Sequence, residues 1–141
     1  MNLRLKYPPT VENAPRFAAD IAASAQQISG VQLDYSVASL KEVDDILEGF
    51  RKDKLRSTQI AETLFGFGCY IGEVFVRHAG GAWRLAAETA MADFAGFPLV
   101  VQTGSENFCN PIAKAFKRVD NGIEDNLPYF YQVFGTPRGT G

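Results

Sequence analysis

Apolar residues recur at helical spacing in five stretches of the chain, and three short runs carry the alternating or continuous pattern of strands. Phe17, Ile21, Ala25 and Ile28 define the first helix, with Asn13 or Ala14 at its start, Pro15 in its first turn and Gly30 as its stop. Residues 31–35 (VQLDY) alternate and suit a short strand. Ser36 then caps a second helix whose stripe is Leu40, Val43, Ile46, Leu47 and Phe50, Ser39 with Glu42 offering an alternative capping box. A third helix, about residues 57–78, carries Ile60, Leu64, Phe67, Ile71, Val74 and His78 along one stripe, which is expected to face the core. It also holds Gly66, Gly68 and Gly72. Glycine inside a helix costs about 1 kcal/mol relative to alanine, so this clustering predicts that neighbouring elements come unusually close.

After Gly80 and Gly81 stop that helix, residues 82–88 and 98–103 read as an antiparallel pair of strands. Residues 89–97 are too long for a tight hairpin and hold either a further strand or an irregular excursion. Asn110 and Pro111 open a fourth helix with Ile112, Phe116 and Val119 on its apolar face and Lys114, Lys117 and Arg118 on its expected outer face. Asp125 is read as the cap of a last, aromatic helix over residues 127–134. The expectation is one α+β domain over residues 1–141: about five helices around a buried central helix, with a small antiparallel sheet. An extended arm at residues 1–10 and a flexible tail at residues 135–141 flank it.

Composition narrows the function classes. Fourteen Lys and Arg against sixteen Asp and Glu, with signs mixed, leave no electrostatic footprint for a phosphate backbone, so no nucleic-acid partner is expected. The apolar run at residues 64–76 contains Glu73 and is too short to cross a hydrocarbon layer about 30 Å thick. With no apolar stretch behind the basic start MNLRLKYPPT, the reading is a cytoplasmic protein without a membrane partner. Cys69 and Cys109 lack a partner at CxxC or zinc spacing, and a single histidine offers no ligand set, so neither a metal nor a cofactor is expected.

Two constellations remain as candidate chemistry. Glu73 is the one charge within residues 64–76 and needs a partner if buried; Arg77, one turn on, is the natural one. Tyr70, Glu73, Arg77, His78 and Trp83 therefore form either a structural group, with His78 capping the helix end, or the wall of a pocket in which Glu73 acts as base or ligand anchor. Tyr129, Phe130, Tyr131 and Phe134 stand on every side of a short helix, more than one core face hides, and so either pack on the arm or present a partner or self-association surface.

The pieces LDYS (33–36), GCYIGEVFVRHAGGAW (68–83) and NPIAKAFKRVDNGIEDNL (110–127) together resemble a family of small bacterial proteins known only as a domain of unknown function. The resemblance runs from Leu33 to Leu127 and implies a fold family without an activity. With no catalytic set in the sequence, the functional expectation is a non-enzymatic binding or accessory module, meeting another protein as immunity proteins do. The alternative is a small hydrolase-like enzyme or small-molecule binder with its pocket near Glu73 and Trp83.

Overall fold

The computed structural model describes residues 3–93 and 95–135. Five α-helices are present: α1 (Ala14–Ser29), α2 (Ser39–Lys52), α3 (Ala61–His78), α4 (Pro111–Asn121) and α5 (Leu127–Gly135). The strands β1 (Ala82–Leu85), β2 (Leu99–Gln102) and β3 (Phe108–Cys109) form one antiparallel sheet in the order β1-β2-β3. Trp83 pairs with Val101, and Val101 with Cys109. The fold is α+β, as the hydrophobic pattern predicts.

From Leu64 to Phe75 helix α3 is buried on all sides rather than along one stripe, whereas His78, expected on the core-facing stripe, is exposed at its last turn. Its three glycines explain how so many neighbours reach it. A Cβ on Gly66 would lie 3.1 Å from the Ile21 side chain of α1. One on Gly68 would lie 2.5 Å from the Ile112 Cα, where the first turn of α4 crosses. One on Gly72 would overlap the Trp83 ring of β1. Real Cβ atoms essentially never sit so close to a backbone or a rigid indole, so each glycine admits a different element.

Helix ends are set by local chemistry. Gly30 stops α1 at φ +70°, and the Asn110 side chain accepts from the Ala113 N–H with Pro111 in the first turn of α4. The start of α2 is held by the Ser36 hydroxyl, which accepts from the Ser39 N–H at 3.1 Å, so the Ser39/Glu42 alternative is not used. Asp125 does not cap α5. Lys114 and Asn121 claim its carboxylate at 2.7 and 2.9 Å, and Asn126 caps instead, accepting from the Tyr129 N–H at 2.9 Å.

Several expectations are corrected. Residues 31–35 form no strand; they cross the C-terminal half of α3 as irregular chain, with Leu33 and Tyr35 packed on the core. Ile28, placed on the apolar stripe of α1, lies in solvent on its last turn. Residues 57–59 form a separate 3-10 turn before α3, tied down by Ser57, whose N–H and hydroxyl both donate to Asp120. The strand expected over residues 82–88 ends at Leu85, where a 3-10 turn begins, and β3 adds a third strand to the expected pair. Residues 89–93 are turns, and Met91 and Ala95 pack with Ala86, Val100 and Phe108 in a small second cluster on the sheet. In the arm, Tyr7 packs edge-on against Phe17 and donates to Asp20 at 2.7 Å. Gly135 is the last residue of α5; the rest of the expected tail, residues 136–141, lies outside the described residues.

The largest correction is Arg118. Expected on a solvated face, it is 1% exposed and bridges α4 to α2. Its Nε and Nη2 donate to the two oxygens of Asp44 at 2.9 and 3.3 Å, and its Nη1 donates to Glu48 at 2.8 Å. Asp44 also accepts the Leu127 N–H at 2.9 Å, so one carboxylate fastens the start of α5 as well. The Arg118 bond holds the Glu48 carboxyl below its ordinary value.

The glycine contacts make a direct prediction. Gly68→Leu and Gly72→Leu should each destabilise the chain by about 3 kcal/mol or more, since neither the α4 backbone nor the indole can yield without moving its element. Gly49→Leu, at a helical position with open space around it, is the control and should melt at or somewhat above wild type. Denaturant melts of the three variants check this.

Candidate functional site

The five polar and aromatic residues singled out around Glu73 converge, and the structure adds Tyr35, Ser36 and Ser39 to them. Tyr35 adopts φ +65°, a left-handed conformation that costs a non-glycine residue about 1–2 kcal/mol. Four contacts hold it there. Its N–H donates to the Tyr70 hydroxyl at 2.8 Å, and its carbonyl accepts from His78 Nε2 at 2.9 Å. Its ring stacks on Tyr70 at 4.7 Å between centroids, and the Arg77 guanidinium lies over the ring at 3.7 Å.

Proton positions are fixed by the partners. Because a carbonyl can only accept, His78 carries a hydrogen on Nε2, and it binds the 30–37 segment rather than the carbonyls of its own helix. The Ser39 hydroxyl donates to the Ser36 carbonyl at 2.6 Å, so the 2.7 Å contact between Ser39 and Tyr70 has Tyr70 as donor. Tyr70 thus receives one hydrogen bond and gives one, and burial holds its hydroxyl above the ordinary tyrosine value. Asp34 completes the turn, accepting both the N–H and the hydroxyl of Ser36, which keeps its carboxyl below the usual range.

Glu73 lies one residue beyond the indole-accepting Gly72. The Trp83 ring rests over Gly72 and its Nε1 donates to Glu73 Oε2 at 2.9 Å in a buried setting. Arg77 approaches the other oxygen only to 3.9 Å, and its side chain is half exposed against 7% for Glu73. The pair expected from i,i+4 spacing is therefore the lesser interaction, and the indole is the principal partner. The alternation Gly72-Glu73 with Trp83 is a receptor and its key: no side chain where the ring lies, a carboxylate where its N–H points. Both residues stand out in the sequence but their bond does not, because nothing in the intervening nine residues fixes the direction of β1.

Most of these polar atoms are bonded within the fold. Glu73 Oε2 accepts from Trp83, the Tyr70 hydroxyl is doubly engaged, and among the described residues no buried side-chain nitrogen or oxygen lacks a partner. Cys69 and Cys109 are both buried, and burial pushes Cys69 far above its ordinary value and Cys109 up to about 12, so neither is a thiolate nucleophile near neutrality. Among the described residues no group of three or more His, Cys, Asp and Glu side chains could hold a metal ion, and no helix is long and apolar enough to cross a membrane.

The aromatic residues of α5 divide. Phe130 is buried edge-on against Phe75 at 5.4 Å, and Tyr131 tilts against the same ring at 4.9 Å, so they pack on α3 rather than on the arm. Tyr129 and Phe134 remain 59% and 39% exposed.

Together these features define a helical α+β domain organised on a glycine-indented central helix, with a polar network that fixes loops. The chain belongs to a family of unknown function, DUF6278, whose model matches residues 18–106. Residues 33–36 and 68–83 fall inside that match, and residues 110–127 lie beyond it. No curated protein and no solved structure matches the chain.

This geometry ranks the partners of Glu73. Trp83→Phe keeps the ring over Gly72 but leaves Glu73 without its best donor, and should destabilise the chain by about 1–3 kcal/mol. Arg77→Ala should cost about 1 kcal/mol or less, because its partner is distant and its own side chain half exposed. Equal losses from the two variants in chemical melts would contradict this ranking. Separately, the matched span depends on residues C-terminal to it. A chain ending at residue 106 loses Ile112 against Gly68 and Arg118 against Asp44, and should show no cooperative thermal transition by circular dichroism.

Proposed function

We propose that the chain is a non-enzymatic binding or accessory module that meets another protein through the exposed side of α5 and its surroundings. The observation that carries this reading is the contrast between the two candidate constellations. Glu73, Tyr70 and His78 each spend a hydrogen bond on holding Trp83 or a strained Tyr35. Tyr129 and Phe134, by contrast, stand exposed on a helix whose remaining aromatics already anchor it to α3. Exposed aromatic side chains on a rigid support are the residues that most often dominate protein interfaces. An accessory role of the kind filled by immunity proteins fits a small module whose polar groups are spent on its own fold.

The test compares three forms of the chain by affinity capture from the source cells. Wild type and Glu73→Gln, which preserves an acceptor for Trp83, should retain the same partner, and Tyr129→Ser with Phe134→Ser should lose it while melting normally. A partner or small ligand that survives the aromatic changes and disappears with Glu73→Gln would transfer the function to the Glu73 and Trp83 group. Light scattering across a concentration series separates a heterologous partner from a second copy.

A further inference from the structure

Beside Phe134 lies a groove of about 400 Å³ where α4, α5 and β3 meet the turns at residues 89–93. Met91, Phe108, Phe130 and Phe134 give it an apolar lining, and the charged residues among the described lining are Lys114 and Lys117. Their roles differ. Lys114 is mostly buried, bonded to Asp125 at 2.7 Å with its ammonium 5.3 Å from the Phe130 ring centroid, so its charge is already matched. Lys117, one turn on, is exposed and makes no ion pair among the described residues. The groove also runs beside the two-residue strand β3, which among the described residues pairs only with β2 and is an edge of the sheet. An apolar groove beside a sheet edge suits a polypeptide segment that places a side chain in the groove.

From these features we infer that the groove docks a polypeptide segment in which an aromatic or branched aliphatic side chain is flanked by carboxylates. This rests on the binding-module reading and names the partner's chemistry. The apolar lining takes the side chain, and Lys117 at the rim selects a neighbouring Asp or Glu and repels a basic segment. Because Lys117 is solvated, it governs preference and salt dependence more than total affinity.

The experiment titrates the full chain with two labelled peptides, acetyl-Glu-Phe-Asp-Leu-Glu-amide and acetyl-Lys-Phe-Lys-Leu-Lys-amide, by fluorescence anisotropy and by amide resonance shifts. The acidic peptide is expected to bind at least about tenfold more tightly, to weaken with added salt, and to shift Met91, Phe108 and Phe134. Phe134→Ala should weaken it, and Lys117→Glu should reverse the preference between peptides. Lys52→Glu, an exposed lysine on α2, should leave the preference intact. Equal binding of the two peptides, no binding of either, shifts confined to other surfaces, or self-association that excludes the peptide would each overturn the inference. Loss of a captured cellular partner on changing Tyr129 and Phe134, without acidic-peptide binding, would overturn this inference and leave the binding-module reading standing.

Discussion

Close approach to α3 is the constraint on which the remaining structure depends. A helix buried on all sides must accept neighbours from several directions, and with full-sized side chains throughout they would stand at ordinary helix-packing distances of about 8–10 Å. Glycine at three positions removes that spacing where Ile21, the backbone at Ile112 and the ring of Trp83 arrive. The α1 face, the α4 crossing and the β1 register are in this sense set by three missing side chains. The energetic penalty of glycine in a helix is offset by contacts that no other residue permits.

Polar chemistry is arranged around the same helix as fastening. At its C-terminal half, Tyr70, Glu73, Arg77 and His78 each reach out to a different atom of the 30–37 segment or of Trp83, so that an irregular stretch without regular backbone pairing is still firmly bonded. Away from these bonds, Arg118, Asp44 and Glu48 join α4 to α2, and the same Asp44 receives the first N–H of α5. Buried ion pairs are seldom strong net stabilisers, but breaking one leaves an unmatched charge, so such a clamp is intolerant of alternative packings. Both networks use hydrogen bonds to fasten the fold, and the surface proposed for function lies elsewhere, at the exposed aromatics and the groove of α5.

The family match ends at residue 106, yet the core does not. Ile112, Phe116 and Val119 of α4 and Leu127 and Phe130 of α5 belong to the same hydrophobic cluster as Phe17, Leu64 and Phe75. The shared part of the family is therefore one side of a core that residues beyond the match complete here, and the groove proposed for partner binding is formed largely by that later part.

What the sequence determined by itself is what depends on neighbours a few residues away. Helical periodicity, the Gly30 stop and the Asn110-Pro111 start place four of the helices closely, and the glycine cluster announces a crowded α3, because spacing, caps and missing side chains act locally. The tertiary structure decided the pairings across long intervals. Arg118 reads as one of three basic residues on a solvated face until Asp44, 74 residues away in the chain, is set beside it. Residues 31–35 alternate like a strand, yet they pair with no strand of the sheet, and Tyr70 and His78 satisfy the backbone of Tyr35 instead. Glu73 finds Trp83 rather than Arg77 as its close partner because the direction of β1 is fixed by packing over Gly72, and periodicity carries no information about which way a strand leaves a turn.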